Sequence, residues 1–349
     1  MANSIQNTNI EKFDHVYSPY SLINNIIDPK YDSDIFDLVK KTRNQISNIL
    51  NRNITDKFIV IIGPCSIHDK QSALDYAKRL SYIKKNYPNL LIIMRVYFEK
   101  PRTISGWKGL IMDPDLDNTC KVEKGLRLAL EIMKEINKLN VPIACEFLDT
   151  ISAHYISNFV SWGAIGARTT ESQIHRQLAS GLSMPIGFKN NTEGNIEVAI
   201  NSILSSRESH TFLGINKFGN VSGIKTTGNQ DTHIILRGGK KPNYHKNNIT
   251  EVINFCVIKN IKPNIIVDCS HGNSQKNYKN QKIVVKSICD QIKNGQQHIL
   301  GVMIESNINE GNQKLVQQTT LKYGVSITDQ CISWEESLIL LQQINDSIK

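Results

Sequence analysis

Residues 58–69 read Phe-Ile-Val-Ile-Ile-Gly-Pro-Cys-Ser-Ile-His-Asp, an apolar run that ends in side chains able to do chemistry. The apolar residues do not alternate with polar ones, which is typical of a parallel strand covered on both faces. Asp69 is a suitable N-cap for the helix-like residues that follow. The segment therefore predicts a buried strand, a functional loop and the start of a helix, in that order.

The same succession recurs about eight times along the chain. The apolar runs are rich in Ile, Val and Leu and end in polar or charged residues; they cover residues 58–63, 90–98, 142–148, 164–170, 185–190, 233–238, 264–271 and 300–306. Between them lie helical patterns, such as residues 121–139, where apolar side chains recur at steps of four and three. The alternation predicts a TIM (β/α)8 barrel, with a doubly wound open sheet as the alternative.

Two segments stand outside this repeat. Residues 1–55 are polar with short apolar clusters. They predict an N-terminal arm for docking, subunit contacts or regulation, ahead of a catalytic barrel over residues 56–349. Residues 211–227 interrupt the alternation with two short β-type runs around a central turn, which is the pattern of an inserted β-hairpin. Thr170, followed by Gln173, predicts a capping box at the start of the next helix.

The composition excludes several classes of protein. The 349 residues include 40% hydrophobic and 21% charged side chains, as in an ordinary soluble globular protein. No apolar run approaches the roughly 20 residues that span a bilayer, and the first residues have no signal-like apolar core. The seven cysteines are scattered without C-x-x-C spacing. We therefore expect a cytoplasmic protein that binds no membrane. Motifs of P-loop, dinucleotide-binding, serine-hydrolase and zincin proteins are absent, and no organic cofactor is expected.

The formal net charge of +9 favours an anionic partner. A nucleic-acid-binding protein is one alternative, but the basic residues form no long block, so no nucleic acid is expected as a partner. Active sites of TIM barrels lie at the carboxyl ends of the strands. Six cations end or follow the apolar runs: Arg95, Lys100, Arg102, Arg168, Lys189 and Arg237. Each close pair of them would repel by up to ~4 kcal/mol. They therefore predict substrates that carry phosphate or carboxylate groups.

A second group of strand-end residues offers sulfur, nitrogen and oxygen ligands. It comprises Cys65, His271, Glu305 and Asp329, the last in a loop beyond the final strand. A lone cysteine or histidine is more often structural, but polar residues at the same end of successive strands are hard to explain by packing. The mixed donors predict one divalent transition metal ion, manganese, iron, cobalt or zinc, in preference to magnesium.

Eight sequence blocks resemble the class I 3-deoxy-D-arabino-heptulosonate 7-phosphate (DAHP) synthases of the bacterial, feedback-regulated type. The blocks are residues 63–69, 95–103, 106–109, 166–172, 187–190, 236–239, 268–273 and 326–329. The resemblance implies a homo-oligomeric TIM barrel, dimeric or tetrameric. It also implies that the protein condenses phosphoenolpyruvate with erythrose 4-phosphate and water to give DAHP and phosphate. That reaction is the entry step of the shikimate pathway to chorismate and the aromatic amino acids.

The resemblance also implies roles for individual residues. The implied metal ligands are Cys65, His271, Glu305 and Asp329. The implied phosphoenolpyruvate-binding residues are Arg95, Lys100, Glu146, Arg168, Lys189 and Arg237. The implied erythrose 4-phosphate contacts are Pro101, Arg102, Thr103 and Asp329. Lys100, Cys65 and His271 are assigned to catalysis; Lys100 is the candidate proton donor to the nascent alkoxide, and a water on the metal is the alternative donor.

An aromatic amino acid is the implied feedback inhibitor. Residues 172–176 and 239–245 look closest to the tryptophan-sensitive isoenzyme, and the residues around 150–153 and 178–183 differ among isoenzymes of the family. A synthase that condenses phosphoenolpyruvate with arabinose 5-phosphate is the alternative enzyme. The segment 100–103 favours the four-carbon sugar.

Overall fold

The structure, a computed structural model, describes residues 9–10, 13–102, 104, 106–315 and 320–348. Eight strands form one closed barrel with parallel neighbours: β1 Phe58–Gly63, β2 Leu90–Arg95, β3 Ile143–Glu146, β4 Trp162–Ile165, β5 Ile186–Lys189, β8 Thr232–Leu236, β9 Ile265–Asp268 and β10 Ile299–Glu305. They follow one another in this order around the barrel, and β10 pairs back to β1. The TIM barrel prediction is confirmed, and the open-sheet alternative is wrong.

The apolar runs locate the strands better than they locate the strand ends. β1 has the predicted bounds, Phe58–Gly63. β2 ends at Arg95, whereas its apolar run continues to residue 98, because the three residues after the strand are also buried. β4 begins at Trp162, two residues before the predicted start, and residues 167–171 form turns instead of strand. Buried loops at the carboxyl ends of the strands therefore look like strand in the sequence.

Helices follow most barrel strands, as the alternating pattern predicts. The helices of the described residues are α1 Pro19–Ile26, α2 Ser33–Leu50, α3 Lys70–Ile83, α4 Val122–Lys138, α5 Ala153–Ile156, α6 Gln173–Gly181, α7 Glu197–Arg207, α8 Lys246–Ile258, α9 Gln281–Lys293 and α10 Trp334–Asn345. The Asp69 carboxylate accepts hydrogen bonds from the first backbone N–H groups of α3, so the predicted N-cap is confirmed. The predicted capping box at Thr170 is wrong, because α6 begins after Ser172. The buried Thr170 hydroxyl pairs instead with Ser202 of α7.

The last turn of α2 closes the amino-terminal end of the barrel. Ile46, Ile49 and Leu50 are buried in a cluster with the inward-facing Ile59 and Ile61 of β1 and with inward residues of the other strands. Burial of such side chains stabilises the fold by about 1.5–3 kcal/mol each. The barrel is therefore plugged at one end, and its carboxyl end is the open one.

Polar contacts hold α2 against the outside of the barrel as well. The Arg43 guanidinium donates hydrogen bonds to the carbonyl oxygens of Val160, at 2.7 and 2.9 Å, and of Ser157, at 2.6 Å. The buried Asp32 carboxylate, just before α2, pairs with Lys134 and Lys138 of α4. The part that this arm takes in subunit contacts or regulation stays a prediction.

The predicted hairpin insertion is confirmed. β6 (Thr211–Ile215) and β7 (Val221–Lys225) pair antiparallel in a separate two-stranded sheet between α7 and β8. The backbone N–H of Tyr20 in α1 donates to the carbonyl of Lys217 at the hairpin tip, at 2.8 Å. The arm and the hairpin are thus in direct contact.

The structure also bears on membrane-spanning helices and on the state of the cysteines. Among the described helices, none is both long enough and apolar enough to cross a membrane. All seven cysteines are free thiols.

The barrel interior contains one histidine that must stay neutral. His233 of β8 is buried, and its Nε2 accepts a hydrogen bond from the Trp162 indole N–H at 3.1 Å. Burial lowers the pKa of His233 from 6.5 to about 3. His233 is therefore protonated near pH 6.5 in the unfolded chain, but only near pH 3 in the folded barrel. Stability falls as the pH drops through this window, by up to about 1.4 kcal/mol per pH unit.

We expect the His233→Gln variant to lose less stability on acidification than the wild type. Glutamine keeps an acceptor for Trp162 but cannot titrate. The check is the urea midpoint of unfolding measured from pH 7 to pH 4, with the exposed His245→Gln as the control that follows the wild type. Parallel pH profiles for His233→Gln and the wild type would contradict the assignment.

Candidate active site

A cavity of about 420 Å³ opens at the carboxyl ends of the barrel strands. Ten of the predicted site residues line it: Lys100, Pro101, Arg102, Glu146, Arg168, Lys189, Arg237, His271, Glu305 and Asp329. Cys65 and Arg95 lie fully buried next to lining residues, and Thr103 falls outside the described residues. Residues spread from position 65 to position 329 therefore meet at one end of the barrel.

Three ligand-type side chains converge at one wall of this cavity. Cys65 Sγ lies 3.6 Å from Asp329 Oδ2, and one donor atom each from Cys65, Glu305 and Asp329 lie within 4.8 Å of one another. Burial, together with the Glu305 carboxylate, raises the pKa of the Cys65 thiol to about 12. A thiol in these surroundings is protonated at neutral pH and becomes a thiolate only when a strong cation is close.

His271 faces the same wall with one ring nitrogen. Its Nδ1 lies 2.9 Å from Asp268 Oδ2 and 2.7 Å from Ser270 Oγ, and its Nε2 lies 3.8 Å from Glu305 Oε1. A carboxylate on one nitrogen orients the imidazole and leaves the other nitrogen free to bind a metal ion. His271 also has a φ of 53°, a left-handed conformation that is rare outside glycine and common at functional sites. Sulfur, oxygen and nitrogen donors thus fit a divalent transition metal ion.

Buried ion pairs hold two of the predicted cations. Arg95 Nη2 lies 3.0 Å from Glu305 Oε1, with both side chains almost fully buried, and its guanidinium stacks 4.0 Å from the Tyr97 ring. Lys189 Nζ lies 3.2 Å from Asp268 Oδ2 and 4.0 Å from a Glu146 oxygen. Arg95 therefore supports Glu305 from beneath the cavity, and a direct contact between Arg95 and substrate stays a prediction.

Arg168 and Arg237 are different, because neither forms a salt bridge to a carboxylate within the described part of the chain. Both line the cavity, and the Arg237 guanidinium donates a hydrogen bond to the Gly238 carbonyl oxygen at 3.5 Å. Burial lowers the pKa of Arg237; the Asp268 carboxylate counteracts this by raising the pKa, and the neighbouring Arg168 cation lowers it. Two cations that repel each other in a cavity form a binding site for an anion.

Lys100 lies between the ligand cluster and the cavity. Its Nζ lies 3.0 Å from Cys65 Sγ and 3.4 Å from the Cys65 carbonyl oxygen. The next cation along the chain, Arg102, donates through Nε to the Trp107 carbonyl oxygen at 2.8 Å, and its two terminal nitrogens form no hydrogen bond to any of the described residues. The loop after β2 therefore presents two cations of different surroundings to the same cavity.

A sequence model of the DAHP synthetase I family matches residues 44–342. The chain belongs to the DAHP synthetase I family. The predicted family is confirmed, and so is the prediction that the chain is an enzyme, of the 3-deoxy-7-phosphoheptulonate synthase type.

Similar proteins support the family assignment over most of the length of this chain. Two Escherichia coli (strain K12) proteins, phospho-2-dehydro-3-deoxyheptonate aldolase, Trp-sensitive, and phospho-2-dehydro-3-deoxyheptonate aldolase, Phe-sensitive, are each 48% identical to it. These matches span 311 and 312 residues and 89% of every chain compared. The solved phospho-2-dehydro-3-deoxyheptonate aldolase of Francisella tularensis SCHU S4 is 45% identical, with a TM-score of 0.94, and the match covers 97% of this chain and 98% of that one.

The cavity also contains residues that strand-end position does not identify in the sequence. They lie in the loops after β4, β9 and β10: Ala167, Ser270, Ser274, Lys276, Tyr278, Asn312 and Gln330. Asp268, the last residue of β9, contacts both Lys189 and His271. Its position at the end of β9 was a usable signal, whereas the loop residues look like ordinary surface residues in the sequence.

Proposed function

We propose that this protein condenses phosphoenolpyruvate with erythrose 4-phosphate and water, releasing phosphate. The observation that carries the proposal is the pair Arg168 and Arg237, of which Arg168 is exposed and Arg237 is partly buried. Neither forms a salt bridge to a described carboxylate, and both line the cavity that Glu305 and Asp329 of the ligand cluster also line. Phosphoenolpyruvate carries a phosphate and a carboxylate, and the planar guanidinium fork binds either group through two hydrogen bonds.

A divalent metal ion fits the cluster described above. Cys65, His271, Glu305 and Asp329 would hold it, and it supplies Lewis-acid polarisation of a carbonyl group when bound. Manganese, iron, cobalt and zinc all suit these donors better than magnesium does. The position of the cluster fits an aldehyde placed between it and the cation pair Arg168 and Arg237.

The protein side chains bind and orient the two substrates. Arg168 and Arg237 hold the anionic groups of phosphoenolpyruvate, while Lys189, already balanced by Asp268 and Glu146, offers a fixed point for a further hydrogen bond. This geometry directs C3 of phosphoenolpyruvate at the aldehyde carbon of the sugar. Holding two reactants in line in this way replaces a bimolecular encounter with an oriented one.

The bond changes balance as follows. A C–C bond forms between C3 of phosphoenolpyruvate and C1 of erythrose 4-phosphate, and the aldehyde oxygen takes a proton, for which the Lys100 ammonium is our candidate donor. The electron pair of the C2=C3 π bond forms this new C–C bond, which leaves C2 electron-poor. Water adds at C2, and one of its protons restores the Lys100 ammonium. The C2–O bond to phosphate then breaks, the remaining hydroxyl proton leaves with the phosphate, and C2 becomes a ketone. Arg102 is placed to hold the phosphate of the sugar, since its guanidinium uses only Nε in its contact with Trp107.

The test is phosphate release by the purified protein with both substrates. We expect release that needs both substrates, stops with a chelator and returns when a divalent metal is added back. Arabinose 5-phosphate in place of erythrose 4-phosphate separates the two enzyme alternatives. No release with erythrose 4-phosphate, or equal turnover of arabinose 5-phosphate, would overturn the proposal.

We also propose a feedback site for an aromatic amino acid in a second cavity, of about 280 Å³. Its walls are mainly apolar and come from the β3–α5 segment, α6 and the hairpin: Thr150, Ile151, His154, Ile174, Leu178, Phe212, Leu213, Gly214, Ile215 and Val221. Burial lowers the pKa of His154, so its ring is neutral at pH 7 and can accept a hydrogen bond. An indole N–H needs such an acceptor, which supports tryptophan as the effector.

One hydrogen bond connects this cavity with the active site. Ser152, beside the cavity-lining Ile151, donates through Oγ to the Glu99 carboxylate at 3.1 Å, and Glu99 directly precedes Lys100. Burial, with Asp149 nearby, raises the pKa of Glu99 to about 7. A ligand that moves the segment around residue 151 therefore acts on the loop that carries Lys100 and Arg102.

We expect Ile174→Arg to abolish feedback while leaving uninhibited turnover within about twofold. Ile174 is 59% exposed on α6, so an arginine is tolerated, but its charge would occupy an apolar cavity. The measurement is phosphate release against increasing tryptophan, phenylalanine or tyrosine. Ile339→Arg, on the exposed face of α10, is the matched control and should keep normal inhibition. Undiminished inhibition of Ile174→Arg would contradict the assignment.

A further inference from the structure

Three buried asparagines connect the strand ends that carry the anion-binding and ligand residues. Asn190 follows Lys189 at the end of β5, Asn243 lies in the loop after β8, and Asn273 lies two residues beyond His271. Their exposed fractions are 0%, 8% and 3%. Burial of an amide is costly unless its hydrogen bonds are made, so three of them in one place need an explanation.

Asn190 ties β5 to β8. Its Oδ1 accepts the backbone N–H of Arg237 at 2.9 Å, and its Nδ2 donates to the Gly238 carbonyl oxygen at 2.9 Å. Asn190 is the direct chain neighbour of Lys189. This side chain therefore adds to the β5–β8 strand pairing in holding the Lys189 and Arg237 backbones at a fixed distance.

Asn243 extends the connection to β9. Its Oδ1 accepts the Gly238 N–H at 2.8 Å, and its Nδ2 donates to Asn190 Oδ1 at 3.1 Å. Its backbone N–H donates to Asn273 Oδ1 at 2.8 Å. Asn273 in turn donates through Nδ2 to the carbonyl oxygen of Asp268 at 2.9 Å. Every side-chain oxygen and nitrogen of the three asparagines thus has a partner, which makes the network rigid and specific.

The backbones at this point are in direct contact as well. Gly238 has a φ of 72°, and a Cβ there would lie 2.5 Å from the Asn273 nitrogen. A Cβ on Gly272 would lie 2.7 Å from the Gly238 carbonyl carbon. The loops after β8 and β9 therefore cross with no space for a side chain, and the asparagines fix how they cross.

We propose that Asn243 is a positioning residue for phosphoenolpyruvate. It does not line the active-site cavity, but it holds the loop that presents Arg237 in register with Lys189 on one side and with Asp268 and His271 on the other. This inference rests on the proposed function, since it assumes that Arg237 binds phosphoenolpyruvate. The erythrose 4-phosphate side, built by the loop after β2, has no contact with Asn243 in the described structure.

The test compares two changes at residue 243 with a change at a similar asparagine elsewhere. In Asn243→Ala all side-chain bonds are lost; in Asn243→Asp the bond to Gly238 remains, but an oxygen replaces the donor that faces Asn190. We expect both to raise the KM for phosphoenolpyruvate by about tenfold or more and to reduce the rise in Tm that phosphoenolpyruvate produces. The KM for erythrose 4-phosphate should stay within about twofold.

Asn264→Ala is the matched control. Asn264 is also buried, but it lies at the plugged end of the barrel, where its Nδ2 donates to the Leu50 carbonyl oxygen at 2.9 Å. This variant should lose stability without a selective change in either KM. If Asn243→Ala does not fold, the KM and Tm measurements on Asn243→Asp alone test the proposal.

Each remaining outcome has a distinct meaning. If the residue-243 variants have a lower Tm than the wild type but an unchanged KM for phosphoenolpyruvate, or if both KM values rise equally, the positioning role is overturned and a structural role is left. A wild-type protein that neither releases phosphate nor gains Tm with phosphoenolpyruvate overturns the proposed function, and the inference fails with it.

Discussion

Cys65→Ser is expected to lower kcat by about a thousandfold and to reduce the metal content of the purified enzyme. A metal ion contributes several kcal/mol to transition-state stabilisation, and 4 kcal/mol corresponds to about three powers of ten in rate. Serine is nearly the same size as cysteine and can still bond to Lys100 and Asp329, so the cavity wall is retained. It does not form an anion at neutral pH, so it loses the thiolate on which a soft transition metal depends.

The measurements are kcat and metal content by elemental analysis, with and without added metal. Cys256→Ser is the matched control, because Cys256 is equally buried but lies on α8 away from the cavity. A Cys65→Ser enzyme that keeps both its metal and its turnover would show that the cluster of Cys65, Glu305 and Asp329 does not form the metal site.

Arg168→Ala is expected to lower kcat/KM for phosphoenolpyruvate by about a hundredfold or more. Each hydrogen bond between a guanidinium and a bound anion is charge-assisted and contributes about 1.5–3 kcal/mol. The kcat/KM of Arg168→Lys should lie between those of the wild type and Arg168→Ala, because lysine keeps the charge and loses the planar fork. In the free Arg168→Ala enzyme, Arg237 no longer experiences charge repulsion from Arg168. The Tm of this variant should therefore be unchanged or higher.

Steady-state kinetics with each substrate varied in turn and thermal unfolding check this prediction together. Arg79→Ala is the control, because Arg79 pairs with Asp75 on the surface of α3 and should change neither KM. Unchanged kcat and KM for phosphoenolpyruvate in Arg168→Ala would contradict the anion site.

The fold was predictable because strand and helix patterns depend on burial, and burial is periodic in this chain. β1 shows this best, since its bounds were predicted and all six of its residues are buried. The strand ends were not predictable to the same degree. Val96, Tyr97 and Phe98 are as buried as β2 itself, so hydrophobicity does not mark where pairing stops.

The candidate site was predictable where a residue stands at the end of its own strand. The carboxyl ends of parallel strands meet at one face of a barrel, so Arg237 and Glu305 could be placed together from the sequence. Asn243 could not, because it acts through a backbone N–H group and a neighbouring loop. Lys276 could not either, since a lysine in a polar loop is usually a solvated surface residue.

The plug formed by α2 has a consequence for the order of events during synthesis. Leu50 is made before any barrel strand, yet the cluster that buries it includes Leu300 and Met303 of β10, about 250 positions later. The apolar end of this helix leaves the ribosome long before its partners exist. Packing of α2 against the amino-terminal end of the barrel is therefore among the last steps of folding. Until then the exposed hydrophobic end of this helix is a binding site for a chaperone.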